Sequence, residues 1–449
     1  MDLQQLKQLL KDRGVKRLFA KELAANDNSK NQPYFGGDFE VLSLFPMKKL
    51  EASTVGINKN LKAELDFSWI LPSGELVIAP HAKLILYPQY PEVRFSGFLQ
   101  GCRSSSDSWD SMRRLMSMRL AGRVLFFGVT ETDKIIGFVV DGDSQIAAEF
   151  HAQTHLSSNR GVFFELLLPQ SFNPADSRTL LLYELGRIHR LGWILSKQLD
   201  SHGVLKICNA PQCGGLTLEA ELNISKNSSV DPDFANWEIK QHGVSNFLRP
   251  QTSKAITMMT PEPTGGYYRE QGVEAFVRRF GYADRNGVAD RLNFGGIFRY
   301  SVRHPLTGLT MKLSGYDPTS KKITDPNGEI QLVNDQGVVA ASWGFAGIIA
   351  HWSRKHAQAA FVPSQVQKIP PTSKGEKLMY RYGNTVRLAE HTNSLKVIDA
   401  IASGDLYYDP AIKIVNQSQA DSEIKRRSQW RVASKKIGSL YESVTPVTV

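Results

Sequence analysis

The sequence predicts a mixed α+β (α/β) fold in two parts, a β-rich α+β part followed by one in which helices and strands alternate. Between residues 39 and 98, short apolar or alternating runs are separated by turn signals such as Pro72–Gly74, which is typical of strands. From Leu181 onward, leucine and isoleucine recur at helical spacing instead. The polar, proline-containing segment 169–177 separates the two patterns. We therefore predict an N-terminal domain over residues 1–170 and a second domain over 178–449.

The elements of the first part follow from local patterns. Leucines at helical spacing predict a helix over residues 3–10, and Gly14 is a suitable stop. A second helix is predicted over residues 108–121. Further strands are predicted at the apolar runs 124–128, 135–140 and 162–168.

The second part is predicted to begin with one long amphipathic helix. Its apolar face is formed by residues three to four positions apart, namely Leu181, Leu185, Ile188, Leu191, Leu195 and Leu199. Most of these leucines are expected in the core.

The composition predicts a folded, soluble, cytoplasmic protein. Of the 449 residues, 41% are hydrophobic and 10% aromatic, which is enough to build cores. The N-terminus lacks the basic region and apolar run of a signal peptide. No apolar stretch reaches the roughly 18 residues of a membrane span.

The three cysteines, Cys102, Cys208 and Cys213, are too few and too scattered to predict a disulfide framework. Cys208 and Cys213 lack the spacing and the second ligand pair of common zinc sites. We expect reduced, small apolar side chains.

The net charge of +10 is distributed unevenly. Residues 1–170 hold 20 Lys and Arg against 19 Asp and Glu, whereas the remainder holds 34 against 25. A basic second part is typical of polyanion-binding domains, although a basic, well-solvated surface has the same composition.

The segment Asp231–Lys240 carries the pattern of a metal-dependent nuclease. Such an enzyme needs carboxylates to hold Mg²⁺ and a cation to support the attacking water and the developing charge. Glu238 and Lys240 stand two residues apart and so share one face of a strand, while Ile239 faces a core. A predicted β-hairpin brings Asp233 opposite Glu238, and the backbone carbonyl of Ile239 is a further candidate ligand. By itself this pattern also fits an ordinary exposed strand with alternating charge.

A helix is predicted shortly before this segment, over Gly214–Ile224, with Thr217 as a candidate cap. Glu219 and Glu221 cannot share one helix face, because two residues span about 200°. One of them can reach the metal site, and the other is expected in solvent.

An ordered series of motifs resembles the MvaI/BcnI restriction endonucleases, relatives of the mismatch-repair nickase MutH within the PD-(D/E)xK superfamily. The resemblance covers roughly residues 178–415. The matching motifs are Thr217–Glu219, Pro232–Phe234, Trp237–Gln241, Met259–Gly266, His351–Pro363 and Asp405–Lys413.

The resemblance implies a PD-(D/E)xK core with a DNA-recognition lobe and assigns catalytic roles to Glu219, Asp233, Glu238 and Lys240. Asp233 and Glu238 would hold Mg²⁺, with Mn²⁺ as a substitute. Asp231 is interpreted as a turn residue, because only Asp233 has the family's spacing from Glu238. The resemblance further implies double-stranded DNA as the partner, a monomer, a cognate methyltransferase, and a bacterial or phage-related source.

Two basic segments are candidates for DNA contact. The first contains His351, Arg354, Lys355 and His356, and the second contains Arg381 and Arg387. Arg and Lys are the usual readers of guanine in the major groove. Without the resemblance, Trp352 and Phe361 would be core residues beside a solvated cationic face. The cations at 425–427, 431 and 435–436 are expected to meet phosphates or water.

The leading hypothesis is a restriction or defence endonuclease that cuts or nicks at a short sequence. The alternatives are a MutH-like repair nickase and, from another class, a DNA-binding protein with an inert nuclease fold. The first 170 residues are predicted to be a sensor or accessory module.

Overall fold

The computed structural model describes residues 1–37, 40–52, 60–88, 90, 92–153, 158–166, 168, 174–210, 212–225, 232–249, 255–372, 375–392, 394–419 and 422–449. The chain divides into two compact units, an N-terminal unit (Met1–Ser177) and a C-terminal unit (Arg178–Val449). Helices and strands are mixed in both units, which confirms the α+β prediction. In the described residues no helix is long and apolar enough to cross a membrane.

The N-terminal unit is rich in strands. Its helices are α1 (Leu3–Asp12), α2 (Asp107–Ser117) and α3 (Gln145–Gln153), with a 3-10 turn at Glu40–Ser43. Its strands are β1 (Val15–Leu23), β2 (Tyr34–Gly36), β3 (Lys49–Ala52), β4 (Leu61–Glu64), β5 (Phe67–Ile70), β6 (Leu76–Ile78), β7 (Lys83–Tyr87), β8 (Glu92–Ser96), β9 (Arg123–Thr130), β10 (Ile135–Val140), β11 (Ser158–Arg160) and β12 (Phe163–Leu166).

Among the described residues these strands form two sheets, ordered β11-β12-β1-β9-β10-β5-β6 and β2-β8-β7-β4-β3. Aromatic rings fill the core, and Phe35 contacts Phe45, Phe95, Phe127 and Phe163 at centroid distances of 5.0 to 6.0 Å. Edge-to-face and stacked ring pairs of this kind add to the free energy gained by burying their area.

The predicted helices of this unit are present with shifted ends. Helix α1 ends at Asp12 and is followed by Gly14 with a φ of 80°, as expected of a glycine stop. Helix α2 ends at Ser117, four residues before the predicted end, because Met118 is already extended.

The C-terminal unit contains α4 (Pro174–Arg190) from Arg178 onward, α5 (Cys213–Glu221), α6 (Tyr267–Phe280), α7 (Phe345–Lys355) and α8 (Ser394–Ala402), and a 3-10 helix at Ser434–Ser439. Its strands are β13 (Ile194–Leu195), β14 (Lys197–Leu199), β15 (Leu205–Ile207), β16 (Glu238–Gly243), β17 (Ala255–Met259), β18 (Tyr282–Ala283), β19 (Arg291–Gly295), β20 (Thr310–Ser314), β21 (Tyr316–Asp317), β22 (Lys322–Ile323), β23 (Glu329–Val333), β24 (Val339–Gly344), β25 (Gln358–Thr372), β26 (Gly375–Tyr382), β27 (Thr385–Glu390), β28 (Leu406–Tyr408), β29 (Ala411–Val415), β30 (Glu423–Lys425), β31 (Trp430–Ala433) and β32 (Ser443–Thr448).

A central sheet with the order β13-β26-β25-β27-β32 organises this unit, and β16 joins it by pairing with β25 in parallel. The pairing places Glu238 beside Ala359 and Gly243 beside Ser364. Smaller sheets, among them β17-β31-β28 and β18-β19-β29-β30, form the rest of the unit. Leu181, Leu185 and Ile188 of α4 pack in one core with side chains of the central sheet.

The prediction of one helix up to Leu199 is wrong, because α4 ends at Arg190. Gly192 has a φ of 67°, which lets the chain leave the helix, and the next residues form β13 and β14. Leu191 and Leu195, expected in the core, are exposed. At the other end, residues 169–173 of the predicted boundary lie outside the described part, and α4 begins at Pro174.

The expectation of reduced cysteines is also wrong for two of them, because Cys208 and Cys213 form a disulfide. They lie only five positions apart in the sequence, and the turn before α5 brings both side chains into the core of the C-terminal unit. Cys102 is free.

The loop after β8 depends on Gly97. Its φ is 70°, and a Cβ there would lie 1.9 Å from the carbonyl oxygen of His81. We expect Gly97→Ala to lower the free energy of unfolding of the N-terminal unit by more than about 2 kcal/mol. The measurement is chemical unfolding followed by tryptophan fluorescence.

Gly14→Ala is the matched control, because Gly14 has a φ of 80° but nothing within 4 Å of its Cβ position. It should lower the free energy of unfolding by only about 1 kcal/mol. Equal losses in the two variants would show that the contact with His81 is unimportant.

Candidate active site

A tight turn at Phe234–Trp237 begins the site. The two end residues exchange backbone hydrogen bonds of 3.0 and 2.7 Å, and the central residues Ala235 and Asn236 have φ values of 47° and 69°. Positive φ at both central positions is typical of the type I′ hairpin turn. Trp237 is buried and anchors the turn in the core.

The predicted hairpin is therefore shorter than expected. Phe234 and Trp237 form an isolated bridge, and the strand that follows, β16, pairs in parallel with the distant β25 rather than with the chain before the turn. The turn is nevertheless enough to bring Asp233 back to the edge of β16. Asp231 lies outside the described residues.

Asp233 is fixed to this edge by one hydrogen bond, which the backbone N–H of Ile239 donates to Asp233 Oδ2 at 3.0 Å. In a β-strand the N–H and C=O of one residue point to the same edge. The carbonyl of Ile239 therefore faces Asp233, as a metal ligand would have to. The Ile239 side chain lies in the core, as predicted.

Glu238 and Lys240 lie on one face of β16, as their spacing predicts. Lys240 Nζ is 2.5 Å from Glu238 Oε1. The other oxygen, Glu238 Oε2, is buried and has no hydrogen-bond partner among the described residues. Burial raises the pKa of Glu238 to about 7, and the charge of Asp233 adds to this, while Lys240 and Lys355 oppose it.

Lys355, predicted to contact DNA, lies instead beside the carboxylates. Its Nζ is 3.6 Å from Glu238 Oε1 and 3.8 Å from Asp233 Oδ1. Helix α7 ends at Lys355, and the chain enters β25 three residues later. Because β25 pairs with β16 from Ala359 onward, the end of α7 meets the start of β16.

His351 lies one helical turn before Lys355 and is half-buried. Burial lowers the pKa of His351, and the positive charges of Lys355 and Lys240 lower it further. The imidazole lies near the two lysines of the site, whose positive charges disfavour its protonated form.

Glu219 reaches the same site from α5. Burial raises the pKa of Glu219, and the nearby charge of Asp233 raises it further. Glu221 points elsewhere, as the helix geometry requires, but it is not solvated as we expected. Its carboxylate pairs with Lys197 Nζ at 2.5 Å and with Arg187 Nη1 at 3.6 Å.

Thr217 does not cap the helix, because α5 already begins at Cys213. Its buried hydroxyl accepts a hydrogen bond from the N–H of Lys197 and donates one to the carbonyl of Lys197. Thr217 thus attaches α5 to β14 and fixes the helix that carries Glu219.

Two of the predicted DNA-contacting residues are buried and cannot touch DNA in this structure. His356 is fully buried and stacks on Trp352 with a centroid distance of 4.3 Å. Arg387 is buried and donates hydrogen bonds to the carbonyl and the hydroxyl of Ser434. Long-range packing of the central sheet buries both of these polar groups.

Arg381, also predicted to contact DNA, is exposed. Its guanidinium donates to Gln365 Oε1 and lies 4.9 Å from the Trp193 ring centroid and 5.5 Å from that of Phe247. The side chain of Arg354 lies outside the described part of the structure.

A cavity of about 550 Å³ opens beside the cluster. Glu219, Ile239 and Lys240 line one side of it. Arg427, Gln429 and Arg431 also line it. The sequence predicted contact with phosphates or water for the two arginines. Anionic and cationic side chains thus meet around one polar space.

The candidate metal donors are the carboxylates of Asp233 and Glu238 and the carbonyl of Ile239. Within the described ranges no group of three or more His, Cys, Asp or Glu side chains could hold a metal ion. A metal here would therefore depend on the backbone carbonyl and on water as well as on the two carboxylates.

Two solved structures are similar to about 60% of this chain. Restriction endonuclease MvaI in a complex with its cognate DNA substrate is 17% identical, with a TM-score of 0.44, over 60% of this chain and 97% of that chain. MvaI in the absence of DNA is 16% identical, with a TM-score of 0.33, over 61% and 98%. A comparison with curated proteins gave no match.

A sequence model of the MvaI/BcnI restriction endonuclease family matches residues 182–441. This range contains Asp233, Glu238, Lys240 and Lys355 and covers more than half of the chain. The family match and the motif series agree, and the chain belongs to the MvaI/BcnI restriction endonuclease family.

Proposed function

We propose that this protein is a Mg²⁺-dependent DNA endonuclease of the restriction type, which hydrolyses phosphodiester bonds at a short sequence. Mn²⁺ is expected to substitute for Mg²⁺. The observation that carries the proposal is the buried Oε2 of Glu238, which has no hydrogen-bond partner in the described part of the chain and lies beside Lys240 and Asp233.

The residues present fit a divalent cation. A buried carboxylate oxygen without a hydrogen-bond partner is costly unless something compensates for it, and a cation would do so. Asp233, Glu238 and the Ile239 carbonyl supply the oxygen ligands that Mg²⁺ prefers. A bound metal ion would polarise the phosphate and lower the pKa of a water molecule.

The lysines of the site have separate tasks in this proposal. Lys240 borders both Glu238 and the 550 Å³ cavity, so its ammonium can orient the attacking water and offset charge on the phosphate. Lys355 contacts both carboxylates and reduces the repulsion between them. Glu219, on the cavity wall, is a candidate for proton transfer because its pKa is raised.

The proposed partner is double-stranded DNA, bound by a monomer, with a cognate methyltransferase protecting the host. The excess of basic residues in the C-terminal unit and the cations around the cavity favour a polyanionic substrate. Of the predicted DNA contacts, Arg381 keeps that role here, and His351 and Lys355 belong to the catalytic cluster. The cutting experiment below separates two alternatives from this proposal. A MutH-like nickase would show repair nicking, and an inert fold would cut no DNA.

We expect Lys240→Ala to reduce Mg²⁺-dependent cutting of plasmid DNA by at least about 10²-fold, because it removes the cation nearest the reacting groups. The measurement is conversion of supercoiled plasmid to nicked and linear forms with Mg²⁺, with Mn²⁺ and with EDTA. Sequencing the cut ends would separate restriction at a fixed sequence from repair nicking.

Lys312→Ala is the matched control, because Lys312 is an exposed lysine of the same unit that borders neither Glu238 nor the cavity. It should cut like the wild type. If wild-type protein cuts no unmodified or mismatched DNA with any divalent cation, the enzyme proposal is wrong and the inert alternative gains support.

The raised pKa of Glu238 predicts a pH-dependent stability. The folded state holds the proton up to about pH 7, whereas the unfolded chain releases it near the ordinary value of 4.5. Stability is therefore lost as pH rises between these values. Without divalent cations, Glu238→Gln should be more stable than wild type at pH 8 by about 3 kcal/mol, and no more stable near pH 4.

Thermal unfolding in EDTA at several pH values tests this. Added Mg²⁺ should stabilise the wild type and not Glu238→Gln, because the cation would bind the carboxylate. Glu221→Gln is the control and should lose stability, since Glu221 is ion-paired. If Glu238→Gln is less stable than wild type at pH 8, the buried carboxylate of Glu238 does not destabilise the folded protein and the prediction is wrong.

The N-terminal unit is proposed to be a sensor or accessory module, because the family match begins only at residue 182. Removing residues 1–177 should change the rate or the sequence preference of plasmid cutting. Unchanged rate and cut positions in a folded truncated protein would refute this role.

A further inference from the structure

One arginine of the C-terminal unit lines two separate cavities. The larger, of about 970 Å³, is strongly cationic. Its basic residues are Arg285, Arg291, Lys413, Lys425, Arg426 and Arg427. The smaller is the 550 Å³ cavity that Glu219 and Lys240 line. Arg427 borders both, so it stands where the cationic space meets the candidate active site.

Several cations around these cavities are already neutralised by the protein. Arg291 pairs with Asp284 at 3.2 Å, and Arg431 pairs with Asp409 at 2.7 Å. Lys425 pairs with Glu423 at 3.0 Å. By contrast, the guanidinium of Arg427 forms no hydrogen bond or ion pair within the described part of the chain, and the residue is exposed. Its charge is available to an external anion.

The backbone that carries Arg427 is fixed on both sides. The N–H of Ala411 donates to the Arg427 carbonyl at 2.9 Å, and the N–H of Asp409 donates to the Gln429 carbonyl at 2.8 Å. Between them, the buried hydroxyl of Ser428 donates to the Pro261 carbonyl at 2.6 Å. The backbone position of Arg427 is thus held, while its guanidinium is left available to an external anion.

We propose that Arg427 binds a non-scissile phosphate of the DNA strand that is cut, next to the scissile phosphate. This rests on the proposed endonuclease function and adds to it a positioning contact. A guanidinium matches two phosphate oxygens with parallel hydrogen bonds, which fixes orientation as well as distance. The contact reads no base, so it holds the strand in place without adding sequence preference.

The test compares the salt dependence of DNA binding with the rate of cutting. Binding of a mixed-sequence duplex is measured by fluorescence anisotropy with Ca²⁺ over a series of salt concentrations. Removing a cation that binds one phosphate lowers the slope of log K against log salt by about 1. Arg427→Ala should therefore lower the slope by about 1 and weaken binding to all sequences alike.

Single-turnover cutting of a duplex with a mapped cut position should be slowed by about tenfold or more in Arg427→Ala, because a shifted strand misplaces the scissile phosphate. Arg427→Lys should keep the salt slope while cutting more slowly than wild type, since it keeps the charge but cannot form the paired hydrogen bonds. A neutral methylphosphonate next to the cut should slow the wild type and leave Arg427→Ala unchanged.

Lys312→Ala is the control for charge alone. Lys312 is exposed, and its side chain forms no hydrogen bond or ion pair in the described residues. It lines neither cavity, so its removal should leave the salt slope and the cutting rate at wild-type values. Unchanged melting temperatures would show that each variant is folded.

If Arg427→Ala has the same salt slope and the same cutting rate as the wild type, the inference about Arg427 is overturned and the endonuclease proposal stands. Absence of cutting by the wild type, with a slope that still falls in Arg427→Ala, overturns the endonuclease proposal and the position next to a scissile phosphate, and leaves only a phosphate contact in DNA binding. If the wild type binds no DNA, both are overturned.

Discussion

The candidate site depends on the parallel pairing of β16 with β25. This pairing holds Glu238 beside Ala359, and it brings the end of α7 to the carboxylates. The turn at Phe234–Trp237 then allows the N–H of Ile239, on the edge of β16 away from β25, to hold Asp233. Without the pairing, Asp233, Glu238 and Lys240 would be polar residues of an isolated strand.

The acidic and basic side chains of this site partly offset one another, but burying them lowers the stability of the folded protein. Three acidic residues, Glu219, Asp233 and Glu238, interact with the two lysines Lys240 and Lys355. Burial raises the pKa of Glu238 to about 7, so the folded protein holds a carboxyl group that would be ionised in water. Such destabilised groups are typical of functional sites, where a ligand supplies the missing compensation.

Some basic side chains of the C-terminal unit bond to other parts of the protein, and others are accessible to an external anion. The number of charges alone does not separate the two groups. Arg387 is buried against Ser434 and supports the central sheet. Arg431 is paired with Asp409. Arg427, in the same basic stretch, is left without a partner in the described residues and lines both cavities. Hydrogen bonding, more than net charge, determines which side chains are available to a polyanion.

The sequence by itself determined the mixed fold class, the family, and the common face of Glu238 and Lys240 with Ile239 in the core. The common face follows from local spacing, because the two-residue period of a strand does not depend on its neighbours, whereas the family follows from the resemblance carried by the ordered series of motifs. Only the tertiary structure decided the end of α4, the disulfide of Cys208 and Cys213, and the burial of His356. It also placed Lys355 beside Glu238, more than a hundred residues away in the chain. Contacts at that separation come from the packing of strands and helices, which no local pattern records.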